Sequence, residues 1–260
     1  MRGLALEGGG ARGAYHIGVV KAYMESGYEF DGFVGSSVGA INAAMLAQGD
    51  FDKALELWEN ISMEQVFDAD AQCIFHCMDV FEFRQIKKTL SKMWKALARI
   101  IRGRGVNTSK IRSFIESYID EDKIRRSGKD FGLVTVSVDG LKPYELMLDD
   151  IPQGKLVDYI MASASFPGFR PETIEGKRFI DGAFYNSCPV NLLIGKGYKK
   201  IIAVRTNAPG VFRKIDGEAN VMTITPSKNL GNMMSFSHDH SEANIGLGYL
   251  DGLSSMKTTA

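Results

Sequence analysis

Apolar residues come in two rhythms along this chain. A short run, GLAL at residues 3–6, ends in three consecutive glycines, and the following AYHIGVVKAYMES repeats apolar positions at helical spacing until Gly27. The pattern predicts strand, loop, helix. FDGFVGSS then predicts a second short strand, and VGAINAAMLAQG a second helix whose small residues suit tight packing on a sheet. Two β-α units in the first 49 residues imply a parallel sheet covered by helices. From Asp50 to Ser127 the pattern is almost wholly helical. Strand signals return with DFGLVTVSVDG and KPYELMLDD, as a hairpin or adjacent strands, followed by a helix over GKLVDYIMASAS. Strands are expected at KRFIDGA, KKIIAVRT and ANVMTITPS, and a last helix over SEANIGLGYLDGL, with Asp239 or Ser241 as its cap. No repeat or long linker interrupts this order. The expectation is one α/β domain, residues 1–260, with a helical insertion at about 50–127.

Composition narrows the classes. The 31 basic and 31 acidic residues cancel, which gives no reason to expect a nucleic-acid partner. The amino terminus turns polar too soon for a signal peptide, and no run approaches the roughly 20 apolar residues that cross a bilayer. Cys73, Cys77 and Cys188 leave one thiol unpaired under any disulfide scheme, as suits a reducing compartment. A soluble, cytoplasmic protein is therefore expected. CIFHC at 73–77 offers soft ligands but no second pair, so buried thiols are expected there instead of a metal.

Two glycine motifs carry the candidate chemistry. GGGARG at 8–13 places Gly8, Gly10 and Gly13 at dinucleotide-loop spacing, with Asp31 roughly 20 residues on, near the end of the second strand. Exposed backbone N–H groups there could hold a pyrophosphate or, equally, a developing oxyanion. GSSVG at 35–39 has the form of a nucleophile elbow, with Ser37 where a strand breaks into a helix. If the two strands are neighbours, loop and serine converge at the carboxyl edge of the sheet. A cofactor site requires no such serine.

A serine hydroxyl needs a base. His16 lies inside the first helix and His76 in the insertion, whereas His238 and His240 follow Ser37 in the chain order of a Ser-Asp-His triad. Asp181, in FIDGAF, ends an apolar strand of the same expected sheet and is the competing base. Asp-Gly is also a common turn, and a carboxylate is a weak base unless burial raises its proton affinity.

GGGARG opening a helix, GSSVG some 25 residues later and DGA deep in the second half, in that order, resemble the patatin-like phospholipase family. The Ser/Ala-rich ASASFPGFRP at 162–171 is similar to the family's segment before the aspartate strand. The resemblance implies that Ser37 is the nucleophile and Asp181 its general base, with Gly35, Gly39 and Gly182 supporting the motifs. It implies an oxyanion hole at Gly8, Gly9, Gly10, Arg12 and Gly13. It further implies a three-layer α/β/α sandwich with a mainly parallel central sheet, and hydrolysis of phospholipid or related acyl esters through an acyl-enzyme, without metal or cofactor.

One segment departs from the balanced charge. Residues 84–112 hold ten lysines and arginines and no acidic residue. As a helix over 84–104, it puts Ile86, Leu90, Met93, Leu97, Ile100 and Ile101 on one face with Trp94 at the border, and Lys88, Lys92, Lys95 and Arg99 round the other side. Such a helix can lie in the plane of an anionic membrane, serve as a lid, or pack on the sheet with a solvated basic face. The first use makes the protein peripherally membrane-associated.

Overall fold

The computed structural model describes residues 1–67, 105–166 and 168–257. Along β1 (Arg2–Leu6), Leu4 and Leu6 enter one apolar cluster, whereas Ala5 enters another. β2 (Gly32–Ser36) divides Phe33 from Val34 in the same way, and β7 (Lys200–Val204) divides Ile202 and Val204 from Ile201 and Ala203. A period of two with apolar residues on both sides means that both faces of the sheet are covered.

The remaining strands are β3 (Asp130–Ser137), β4 (Lys142–Met147), β5 (Glu172–Ile174), β6 (Lys177–Asp181) and β8 (Asn220–Ile224). Among the described residues the order is β5-β6-β3-β2-β1-β7-β8, with β4 paired to β3. The run β3-β2-β1-β7-β8 is parallel, while β4 and β6 pair antiparallel with β3, and β5 antiparallel with β6.

β3 carries the arrangement on which the site depends. β4 occupies one edge of β3 from Gly132 to Ser137, so its other partners share the opposite edge. There β2 pairs as far as Ser36 with Val134, and β6 takes over at Thr135 with Asp181. Strands β2 and β6 thus run toward each other along one edge and meet end to end.

On the thicker side lie α1 (Ala14–Glu25), α2 (Val38–Ala47), α3 (Phe51–Asn60) and α9 (His238–Lys257). The other face is covered by α8 (Val190–Gly195), whose Val190 and Leu193 pack on β1, β2 and β7. The three-layer expectation holds, with uneven outer layers. Between residues 50 and 127 the described elements are the helices α3, α4 (Met63–Val66), α5 (Ser109–Tyr118) and α6 (Glu121–Arg126), with Val106 bridged to Phe169. Arg112, the last cation of the basic run, is committed to Asp158 and Glu172 at 2.7 and 2.8 Å, which ties α5 to α7 (Leu156–Ser163) and β5.

The last helix begins earlier than its apolar spacing implies. It starts at His238, and Ser237 Oγ, not Asp239 or Ser241, accepts the His240 N–H at 3.3 Å. No described helix is long and apolar enough to cross a membrane.

Candidate active site

Ser37 follows directly on β2 and caps α2, with φ 56° and ψ −131°. Positive φ in a residue with a Cβ is strained, and it marks the sharp strand-to-helix break that an exposed nucleophile requires. Close flanks permit it: a Cβ on Gly39 would stand 2.3 Å from the Leu6 carbonyl oxygen, and one on Gly35 would stand 2.1 Å from the Gly39 backbone. The Ser37 N–H donates to Ser163 Oγ at 3.0 Å, so the end of α7 fixes the elbow from the side. Ser37 itself is half-buried.

Asp181, at the end of β6, is 2% exposed. Burial pushes its carboxyl up from the ordinary value to about 6, against the lowering effect of hydrogen bonds from the Ala183 N–H and the Ser37 hydroxyl. The Ala183 bond measures 2.8 Å, and the Asp181 N–H donates to Ser165 O at 3.0 Å. Thr135 Oγ1 donates to Ile180 O at 2.9 Å and steadies the strand end. Gly182 passes tightly under β3, where a Cβ would stand 2.1 Å from Val134 O. The nucleophile and carboxylate expected from sequence are therefore brought together, as the meeting of β2 and β6 requires.

The glycine loop follows β1, the neighbour of β2, and reaches the same edge. A Cβ on Gly8 would stand 3.1 Å from that of Ser37. The expected oxyanion donors are not equivalent, because each N–H serves one acceptor well. Gly8 N–H is spent on Ser187 O at 3.1 Å, and Arg12 N–H on Gly9 O at 3.2 Å. Gly13 packs against Val38 and Trp58 at the start of α1. Gly9 and Gly10 N–H have no acceptor among the described residues, and neither does Val38 N–H in the first turn of α2. Val38, the residue after the serine, was not picked out from sequence, although the geometry of an elbow points to it. The donors left for an oxyanion are those of Gly9, Gly10 and Val38.

The Arg12 side chain braces the loop, donating to Gly231 O at 2.9 Å and Asn207 O at 3.0 Å. Beneath it, Glu7 is fully buried and accepts from Arg205 Nε and the Thr206 N–H, both at 2.7 Å. Burial raises the Glu7 carboxyl and the Arg205 bonds oppose that rise. Thr206 Oγ1 in turn donates to Gly8 O, so Glu7 ties β7 to the glycine loop. Sequence reading missed Glu7, Arg205 and Ser163, since these bonds span 126 to 199 positions of chain.

The rival readings fare differently. Asp31 precedes β2 at its amino end, where its carboxylate accepts the Arg2 N–H at 2.7 Å. That is the wrong edge of the sheet for a ribose held beside the glycine loop, so the dinucleotide reading of Gly8, Gly10, Gly13 and Asp31 is corrected. His238 lies on the surface against Glu59 O at 2.6 Å. Both His240 ring nitrogens face carbonyls, Ser235 O at 2.6 Å and Leu230 O at 2.5 Å. His16 is buried beside Asn42, and burial depresses it to about 3. Among the described residues no histidine is bonded to Ser37 or Asp181. Cys73, His76, Cys77, Lys88, Lys92, Trp94, Lys95 and Arg99 lie outside the described residues.

The pattern of the patatin-like phospholipase family matches residues 4–194. An uncharacterized NTE family protein of Mycobacterium bovis is 27% identical over 228 residues, covering 84% of this chain and 52% of its own. The neuropathy target esterase sws of Drosophila melanogaster is 28% identical over 218 residues, covering 78% of this chain and 12% of its own. The lysophospholipase NTE1 of Kluyveromyces lactis is 24% identical over 207 residues, with the same two coverages of 78% and 12%. This chain thus spans about half the length of the mycobacterial relative and about an eighth of the other two. In structure it shares a fold with VipD of Legionella pneumophila, at a TM-score of 0.55 and 16% identity, over 99% of this chain and 67% of that one. A match running from the first strand to the helix after the aspartate turn takes in the strands, loop and elbow that meet at the site, and this chain belongs to the patatin-like phospholipase family.

Proposed function

We propose that the chain is a serine acyl hydrolase of phospholipids or lysophospholipids, working through a Ser37–Asp181 dyad. The observation that carries the reading is a buried carboxylate of raised proton affinity beside a serine on a strained elbow. Ser37 Oγ attacks the ester carbonyl carbon as its proton passes to Asp181. The new C–O⁻ accepts the N–H groups of Gly9, Gly10 and Val38. The tetrahedral intermediate collapses, the C–O bond to the alcohol breaks, and Asp181 returns the proton to the departing oxygen. Water then attacks the acyl-serine carbonyl and gives a proton to Asp181; the acyl C–Oγ bond breaks, Asp181 returns that proton to Ser37 Oγ, and the fatty acid leaves. A value near 6 suits a group that must take and return a proton near neutrality.

The lipid class rests on family membership and on the relative named a lysophospholipase. The basic segment at 84–104, with Lys88, Lys92, Trp94, Lys95 and Arg99, is proposed as a contact for anionic membrane or a lid. Fluorophosphonate labelling tests the dyad. The wild type should be labelled at Ser37, Ser37→Ala not at all, and Asp181→Asn only slowly. Equal labelling of wild type and Ser37→Ala would reject it.

A further inference from the structure

Seven large apolar side chains stand well exposed among the described residues, and three of them, Val211, Phe212 and Ile215, fall within five positions. They sit on the irregular connection after β7, which leaves the sheet at the carboxyl edge where Ser37 and Asp181 meet. An exposed apolar cluster of this kind calls for a partner.

The segment is held, which makes the display a fixed one. Val211 N–H donates to Ala183 O at 2.8 Å and Val211 O accepts the Ser187 N–H at 2.7 Å, so it forms a short ladder with the chain just past Asp181. At the far end Asn191 Nδ2 donates to Lys214 O at 2.8 Å, and Asn191 Oδ1 accepts the Asp216 N–H at 3.1 Å. Between these pins the side chains reach solvent.

Charge identifies the partner. Residues 205–215 hold Arg205, Arg213 and Lys214, with Asp216 and Glu218 just beyond; Arg205 is paired with Glu7, and among the described residues no carboxylate pairs with Arg213 or Lys214. Arg205 lies 3.9 Å over the Phe212 ring and Arg213 lies 4.8 Å over the Tyr185 ring. Apolar tips beside the two unpaired cations Arg213 and Lys214 match a bilayer boundary, apolar atoms toward the acyl chains and cations toward anionic headgroups. We propose that the loop at 209–215 docks the protein on an anionic lipid bilayer, with Val211, Phe212 and Ile215 entering the headgroup region and Arg213 and Lys214 on its phosphates. Docked this way, the Ser37 edge faces packed lipid. The surface deepens the acyl-hydrolase reading and rests on it for its purpose, although binding itself does not require turnover.

The test is sedimentation of the full chain with vesicles of phosphatidylglycerol and phosphatidylcholine in equal parts, against phosphatidylcholine alone. The wild type should favour the anionic vesicles. Phe212→Ser with Ile215→Ser should weaken partitioning at least about tenfold. Arg213→Glu with Lys214→Glu should weaken it about tenfold or more on anionic vesicles only. Both variants should cleave a soluble short-chain nitrophenyl ester at the wild-type rate, and Ser37→Ala should bind vesicles normally. Wild-type partitioning by both double variants overturns the proposal. So does a wild type that binds neither vesicle, or a dimer on gel filtration that the serine pair abolishes without altering vesicle binding. If the vesicle pattern appears but the wild type cleaves no ester, the docking surface stands and the hydrolase reading falls.

Discussion

Asp181 combines two demands, concealment from water, which raises its carboxyl, and access to Ser37, whose hydrogen bond opposes that rise. If it is the base, Asp181→Asn should lower kcat/KM by about 100- to 10,000-fold, while replacing His238 and His240 together with alanine should leave it largely intact. The wild-type rate should rise with pH through an apparent value near 6, as the carboxylate becomes free to accept a proton. The reverse mutational pattern would move the base to a histidine. Ser163 acts one step back. Ser163→Ala leaves the Ser37 N–H without its acceptor, and a cost of about 1–3 kcal/mol in urea unfolding is expected, with slower fluorophosphonate labelling of Ser37. Ser37 and Asp181 were legible because their flanking glycines are demanded by local backbone geometry. Ser163 was legible only as part of a Ser/Ala-rich segment, since a bond across 126 positions leaves no periodic trace.

At the scale of elements, helices α1 and α9 approach through paired glycines. A Cβ on Gly18 would stand 2.0 Å from Ile245 O, and one on Gly248 would stand 2.2 Å from Tyr15 O. Gly246 on the same helix faces open space. Gly248→Ala should therefore cost about 1–3 kcal/mol or more in denaturant unfolding, whereas Gly246→Ala should gain about 0.5–1 kcal/mol from helix propensity alone. Equal effects would refute the close crossing. Long elements such as α1, β3 and α9 could be read from apolar spacing. The three residues of β5 and six of α8 could not, because each is too short to complete a period that distinguishes it from a loop. Nor could sequence show that β3 changes partner halfway, since DFGLVTVS is evenly buried along its length.

For the whole molecule, holding Asp181 out of water has a stability consequence. Its carboxyl titrates at about 6 when folded and near its ordinary 3.8 when unfolded. Between these values the unfolded chain has already released the proton that the native state keeps, so stability falls as pH rises from about 4 to 6 and stays lowered above. Asp181→Asn, which carries no such charge, should be more stable than wild type by about 2–3 kcal/mol at pH 8, with the gap closing at pH 3.5. Urea titrations at the two pH values would show it. That the chain forms a covered α/β sheet with its chemistry at one edge was readable from strand and helix order. The strand sequence across the sheet was not, because pairing depends on packing between segments more than 100 positions apart, as in β1 with β7. One outcome of that pairing reaches beyond this reaction. Because β2 and β6 abut on a single continuous backbone, the gap between hydroxyl and carboxylate is metered by one peptide step, from Val134 to Thr135, and not by two loops that settle separately. Segments that take no part in that pairing can change while the reactive spacing stays as it is.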